Sequence, residues 1–298
     1  MKRGLITALV LASAFPAMAQ GVQPVAESPI VIGRSIGIQS SVLGQPRKLN
    51  VYVPPSYAEG RRRYPVLYVL DGGADQDFHH ISGLAQLASV NGATQELIVV
   101  GVETQDRRRE LAFAAAQPRY RKEWPTHGRS AAFRRYLQQE VVPFVEKGWR
   151  TSGENALMGE SLAGLFVVET LLRQPGLFDR YIAISPSLWW DGGALAREAP
   201  ALLARHDATS RTLWVTMADE GGTMETATNR LVAALEANAA PNLRWTYARR
   251  PGETHATTYH PAALDAIRTF YAVPPETGGP CPWWLCEPAG AAQGTTKR

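Results

Sequence analysis

The segment LMGESLAG, Leu157 to Gly164, joins a short apolar run to a helix-period stretch through Ser161. A serine at a sharp strand-to-helix turn presents its hydroxyl at the C-terminal edge of a sheet, where it can attack a carbonyl carbon. The turn brings strand and helix so close that the residues two before and two after the serine must be small, and Gly159 and Ala163 meet that demand. Ala163 stands where glycine is usual, so the turn has one methyl to accommodate, and Gly164 follows at once. The alternative is that Ser161 only caps the helix beginning at Leu162, because serine is a favoured N-cap.

A serine hydroxyl becomes a nucleophile when a neighbouring base takes its proton and a third group orients that base. At turns of this kind the chain order is serine, then a carboxylate, then histidine. His255, in PGETHAT between a strand and a helix, is the expected general base. His260 follows it but stands beside Pro261 at a helix start and reads as a capping or surface residue, while His79, His80, His127 and His206 belong elsewhere. The loop MADEGG offers two carboxylates, of which Glu220 is preferred and Asp219 is the alternative. The backbone N–H of Leu162, with one from the loop at Gly72 and Gly73, would hold the oxyanion, Gly73 being the choice there. The reaction expected is acyl transfer: Ser161 attacks an ester carbonyl, His255 accepts the proton, and water releases the acid.

These residues must be positioned by a sheet. Ile30–Leu43 and Arg47–Val53 alternate in polarity around Gly44 and Gln45, which predicts a hairpin. PVLYVL (Pro65–Leu70) and LIVVGV (Leu97–Val102) are continuous apolar runs, as expected for strands covered on both faces. Ala156–Met158, Tyr181–Ile184 and Leu213–Met217 repeat the pattern, and the more polar Leu243–Tyr247 suits an edge. Helical periodicity covers Phe78–Val90, Phe133–Glu146, Leu162–Arg173, Leu195–Arg205, Met224–Ala237 and Ala262–Tyr271, with Pro143 expected to kink the second. The alternation predicts an α/β fold: a mostly parallel central sheet of about eight strands with helices on both faces.

Of the 298 residues, the first 19 read as a cleaved signal peptide: Met1, Lys2 and Arg3, an apolar run to Phe15, then Ala17-Met18-Ala19. The run is too short for a membrane span and no later stretch reaches the roughly 20 apolar residues needed, so a periplasmic or secreted protein without a stable membrane anchor is expected. Residues 20–275 should form one domain, and 276–298 an extension. In that extension Cys281 and Cys286 are expected to pair as a disulfide in an oxidising compartment, and the final Gly, Ala and Thr-rich tail to be disordered. Two thiolates without a third ligand do not complete a zinc shell, so no metal is expected. Hydrophobic content of 45% and charged content of 19% are ordinary for a globular protein. A net charge of +4, with Arg61–Arg63 and Arg107–Arg109 as its densest runs, is too small an excess to suggest nucleic acid as a partner when no binding motif accompanies it.

YPVLYVLDGG, FRRYLQQEVVPFVEKGWRT, GESLAG, FDRYIAISPSLWWD, MADEGG and PGETHAT, in this order, resemble the Putative esterase family of α/β-hydrolases, over about Ile30 to Tyr271. That family includes enterochelin esterase, its periplasmic relative acting on salmochelin, feruloyl esterases and mycolyltransferases, and the periplasmic branch is the nearest in appearance. The resemblance implies an α/β-hydrolase fold without a large lid, a Ser-His-acid mechanism, no cofactor, and a small-molecule ester as partner: a siderophore catecholate, or another aromatic or sugar ester. It further implies that Arg107 lines the substrate cleft, and Trp189 and Trp190 follow a strand end where indoles beside a guanidinium would suit an aromatic anion. Packed indoles and a solvated guanidinium are the alternative there. An acyltransferase with the same triad, a peptidase, and a binding protein that has kept the fold without catalysis are the competing functions; a competing alcohol, an amide substrate and a simple chromogenic ester separate them.

Overall fold

The apolar runs of the sequence become the middle of one sheet, flanked by helices on both faces. The computed structural model describes residues 26–207 and 209–273; the expected signal peptide, the cysteine pair and the C-terminal tail lie outside them. Residues 26–31 have no regular secondary structure. From Ile32 the elements are β1 (Arg34–Ser40), β2 (Gln45–Tyr52), β3 (Tyr64–Leu70), α1 (Phe78–Val90), β4 (Ile98–Val102), α2 (Arg107–Leu111), α3 (Pro118–Glu123), α4 (Ser130–Tyr136), α5 (Val142–Gly148), β5 (Thr151–Glu160), α6 (Leu162–Arg173), β6 (Arg180–Ile184), α7 (Trp190–Leu203), β7 (Arg211–Ala218), α8 (Gly222–Asn238), β8 (Leu243–Arg250) and α9 (Tyr259–Phe270).

Among the described residues the sheet has eight strands in the order β1-β2-β4-β3-β5-β6-β7-β8. The hairpin and the β2–β4 pairing are antiparallel, and every other pairing is parallel. All residues of β3 and β4 are buried. Alternate side chains divide between two cores: Val66, Tyr68 and Leu70 pack with Phe133, Leu165 and Leu195 on the side of α4, α6 and α7, whereas Leu67 and Val69 pack with Ile81, Ala263 and Ile267 on the side of α1 and α9. Chain direction along the sheet reverses at β3, which sends its successor β4 to one side while β5 lies on the other. In open α/β sheets ligands bind outside the carboxyl ends of the strands at such a point.

Three local outcomes differ from the periodicity. The first strand is shorter than Ile30–Leu43 because residues 41–44 turn, and the Glu140 carboxylate fixes that turn by accepting from the amides of Ser41 (2.8 Å) and Val42 (3.0 Å). Pro143 does not end its helix: a wide π-type turn, Leu137–Val141, connects α4 to α5 just before it, loosening the turn that the ring would otherwise crowd. The segment over Trp190–Leu203 is not regular from its start, since Asp191, Gly192 and Gly193 all have positive φ before the helix settles. No helix among the described residues is long and apolar enough to cross a membrane.

Candidate active site

Ser161 lies between β5 and α6 with φ 57° and ψ −115°, a conformation that a side-chain-bearing residue adopts only under constraint. The constraint is visible on both sides. The Ser161 amide donates to Ile184 O (2.9 Å), and the Ser161 carbonyl accepts from the amides of Leu165 (2.9 Å) and Ser187 (2.8 Å). Strand and helix approach so closely that a Cβ built on Gly159 would lie 2.6 Å from that of Ala163, and one on Gly164 would lie 3.0 Å from Ile184 O. The methyl of Ala163 is therefore tolerated because the opposing residue is glycine, and the helix gains its close contact with β6 at Gly164.

The parallel pairing of β5, β6, β7 and β8 brings the loops that follow them to one edge. A bond from the Asp219 amide to Glu253 O (2.9 Å) ties the loop after β7 to the loop after β8. Within the latter, Thr254 and Thr257 close a turn, with Thr254 N donating to Thr257 Oγ1 (2.9 Å) and Thr257 N to Thr254 O (3.1 Å), and His255 projects from it. His255 Nε2 lies 3.0 Å from Ser161 Oγ, and His255 Nδ1 lies 2.6 Å from Glu220 Oε1. Glu220's side chain is 8% exposed and that of His255 45%, so the carboxylate is sheltered while the imidazole faces the cleft. Of the two carboxylates left open by the sequence, Glu220 makes the contact, and Asp219 is exposed.

Leu162 is the first residue of α6, so its N–H has no intrahelical carbonyl to bind and points out of the helix start beside Ser161. Gly73 differs from expectation. Its N–H donates to Gln76 Oε1 at 2.8 Å, and the Gln76 Nε2 in turn donates to Thr104 O and Oγ1, both at 3.3 Å. A substrate oxygen reaches the Gly73 amide only when that carboxamide withdraws.

The residues expected to contact substrate are distributed differently from the reading of the sequence. Trp190 is fully buried, with its indole N–H donated to Phe113 O (3.0 Å), and packs against Trp124, Tyr120 and His127. It is a core residue, and its placement on the cleft is corrected. Trp189 is half-buried and lines a cavity of about 400 Å³ with Arg119, Tyr120, Gly193, Thr226 and Arg230. Arg107 is not beside the indoles; its Nε donates to Asp71 Oδ2 (2.7 Å), and Thr104 Oγ1 bonds the other oxygen of that carboxylate. The guanidinium that meets an aromatic ring in the cavity is Arg119, stacked 4.6 Å from the Tyr120 centroid and donating to its hydroxyl at 2.6 Å.

Two polar groups near Ser161 went unassigned in the sequence. Ser187, in SPSLWWD after β6, is buried, and its Oγ lies 3.2 Å from Ser161 Oγ. Glu160, immediately before Ser161, has its carboxyl pushed up to about 7: burial is the main cause, the His255 charge opposes it, and Asp77 adds to it. Asp77, preceding α1, is pushed up to about 6, chiefly by burial and then by Asp71. Carboxyls of Glu160, Asp77 and Asp71 thus gather near Ser161 on the side of α1. His260, expected at the surface, is exposed on α9 and meets His80 of α1, Nδ1 to Nε2 at 2.8 Å. No group of three or more His, Cys, Asp or Glu among the described residues could hold a metal ion.

Comparison with known proteins places this geometry. Ferri-bacillibactin esterase BesA of Bacillus subtilis is 32% identical over 144 residues, 43% of this chain and 49% of that protein. A siderophore enterobactin esterase of Emericella nidulans is 41% identical over 76 residues, 24% of this chain and 25% of that protein. The chain thus matches about half or less of the length of these two relatives. An IroE-like serine hydrolase from Shewanella oneidensis superposes with a TM-score of 0.74 at 26% identity, over 80% of each chain. The family model described as "Putative esterase" matches residues 40–270, most of the described chain, and the protein belongs to that family.

Proposed function

We propose that this chain is a serine esterase that cleaves a carboxylic ester through an acyl-enzyme, with Ser161 as nucleophile, His255 as base and Glu220 as the acid that orients it. The observation that carries the reading is the pair of contacts on the His255 ring, 3.0 Å to Ser161 Oγ and 2.6 Å to Glu220 Oε1. With Nδ1–H donated to the carboxylate, Nε2 keeps its lone pair and takes the Ser161 proton as Oγ bonds the carbonyl carbon. The Leu162 amide receives the developing oxyanion, joined by that of Gly73 once Gln76 turns aside. His255 then protonates the leaving alcohol; in the second step it takes a proton from water as the water oxygen bonds the acyl carbon, and returns that proton to Ser161 Oγ as the Oγ–C bond breaks and the acid leaves.

The substrate we propose is a siderophore ester with aromatic, anionic character. Family membership and the names of the relatives support it, as does the cavity holding Trp189, Tyr120, Arg119 and Arg230, where guanidinium and aromatic faces suit catecholate rings. The partly exposed Arg107 guanidinium is a further contact for such an anion. We also propose export to the periplasm or medium after cleavage behind Ala19, with residues 20–275 as the catalytic domain; the amino-terminal sequence of the secreted protein tests this.

A fluorophosphonate should label Ser161 in the wild type and nothing in Ser161→Ala. Purified enzyme should hydrolyse a triscatecholate ester with a higher kcat/KM than p-nitrophenyl acetate. Labelling elsewhere sinks the mechanism, whereas turnover of the simple ester alone sinks the substrate.

A further inference from the structure

We propose that Ser187 is a catalytic residue that donates a hydrogen bond to the oxygen of the nucleophile, Ser161 Oγ. The inference rests on the esterase reading and deepens it. A serine hydroxyl carries one proton and two lone pairs. The proton of Ser161 is committed to His255 Nε2 at 3.0 Å, because His255 Nδ1–H is committed to Glu220. In the contact of 3.2 Å between the two serine oxygens, Ser187 must therefore be the donor and Ser161 the acceptor.

The placement is built rather than incidental. Ser187 is 3% exposed, and its amide holds the Ser161 carbonyl at 2.8 Å. The residue that launches its loop, Ser185, has a φ of 38° and is fastened to β7 by its amide, which donates to Thr216 O (2.9 Å), and by its Oγ, which accepts from Ala218 N (3.2 Å). Hydroxyl and nucleophile therefore keep their relation through the strand pairing of β5, β6 and β7, without help from substrate.

The consequence is electrostatic. During attack the Oγ–H bond breaks toward Nε2 and the Oγ–C bond forms, with the carbonyl electron pair moving to the oxyanion. In between, Oγ gains negative charge, and a buried O–H aimed at it stabilises that charge. In deacylation the same atom is the leaving oxygen: the Oγ–C bond breaks, Oγ takes its proton back from His255, and Ser187 again faces the charge. The proton of Ser187 stays on Ser187 throughout.

The test is the rate of fluorophosphonate labelling at Ser161, resolved into a maximal rate and a half-saturating concentration, in wild type, Ser187→Ala and Ser187→Cys. We expect the maximal rate to fall roughly ten- to a hundredfold in Ser187→Ala, with half-saturation and Tm little changed, as suits loss of one bond to a developing charge. Ser187→Cys, similar in size but a weak donor, should fall part of the way. A maximal rate within twofold of wild type in either variant overturns the proposal, as does a loss confined to half-saturation; if Ser187→Ala melts early, Ser187→Cys decides. Absence of labelling at Ser161 in the wild type would instead sink the esterase reading.

Discussion

At the carboxyl edge of the sheet four non-glycine residues, Asp71, Ser161, Ser185 and Asp191, hold positive φ, whereas the helical layer of α4 and α6 behind it has none. That layer encloses the ion pair of Arg134 and Glu169 (3.1 Å, both side chains nearly inaccessible), with Arg173 adding a second guanidinium to Glu169 at 3.3 Å. Both regions contain a glutamate engaged by a side chain able to carry positive charge, yet the neighbourhoods differ. Glu220 meets an imidazole that opens toward solvent, and Glu169 meets guanidiniums that stay charged. The difference teaches where this fold spends conformational cost: strained backbone gathers where side chains are presented for chemistry, and unstrained packing around a buried ion pair supports it from behind.

The comparison breaks if substitutions in the two regions have the same consequences. Ser161→Ala should lower kcat/KM for an ester by more than about 1,000-fold while leaving Tm within about a degree of wild type. Glu220→Gln should cost on the order of 1,000-fold in kcat, because an amide no longer selects the tautomer with a free Nε2; Asp219→Asn should cost less than about twofold. Glu169→Ala should do the reverse, destabilising the fold by about 3 kcal/mol in urea unfolding while kcat stays at the wild-type value.

Two titrations sharpen the comparison. The Glu160 carboxyl is raised from 4.5 to about 7, so the folded state prefers its neutral form, and its contribution is complete below about pH 4.5 and lost as pH rises through 7. Glu160→Gln should therefore gain stability over wild type across that window, reaching about 2 kcal/mol near neutral pH and then levelling. The smallest effect belongs to His80, lowered mainly by burial and then by His260. A lowered histidine contributes above its ordinary value and loses that contribution as pH falls through the folded one, so His260→Asn should flatten the acid side of the Tm profile below about pH 6.5. An unchanged profile removes the His80–His260 contact from the account of stability.

Much of the arrangement is legible in the residues because it depends on local demands. An apolar run without alternation marks a strand covered twice, as in β3 and β4. The small residues around Ser161 announce a turn that nothing larger can make. His255 is legible through chain order, and Glu220 and Asp219 narrow to a pair because one loop supplies both. What decides between them is the twist of the backbone after Ala218, which no local pattern records. Ser187 is hidden for a related reason: its hydroxyl matters only because β6 pairs beside β5, a contact between residues 26 positions apart. Trp189 and Trp190 are adjacent and chemically identical, and the irregular start at Asp191–Gly193 sends one indole into the core and leaves the other on the cavity. Gln76 could not be foreseen either, since a side chain that borrows a neighbouring amide looks like any polar loop residue.

His255, the proposed base, sits in the loop that follows β8. Among the described residues β8 has a neighbour on one side only, and its residues alternate between partly buried and exposed rather than being enclosed. Fraying of this margin would carry His255 away from Ser161 while the seven other strands remain paired. On gentle heating, turnover should fade at a lower temperature than the far-ultraviolet circular dichroism signal, so the enzyme would fall silent before it melts.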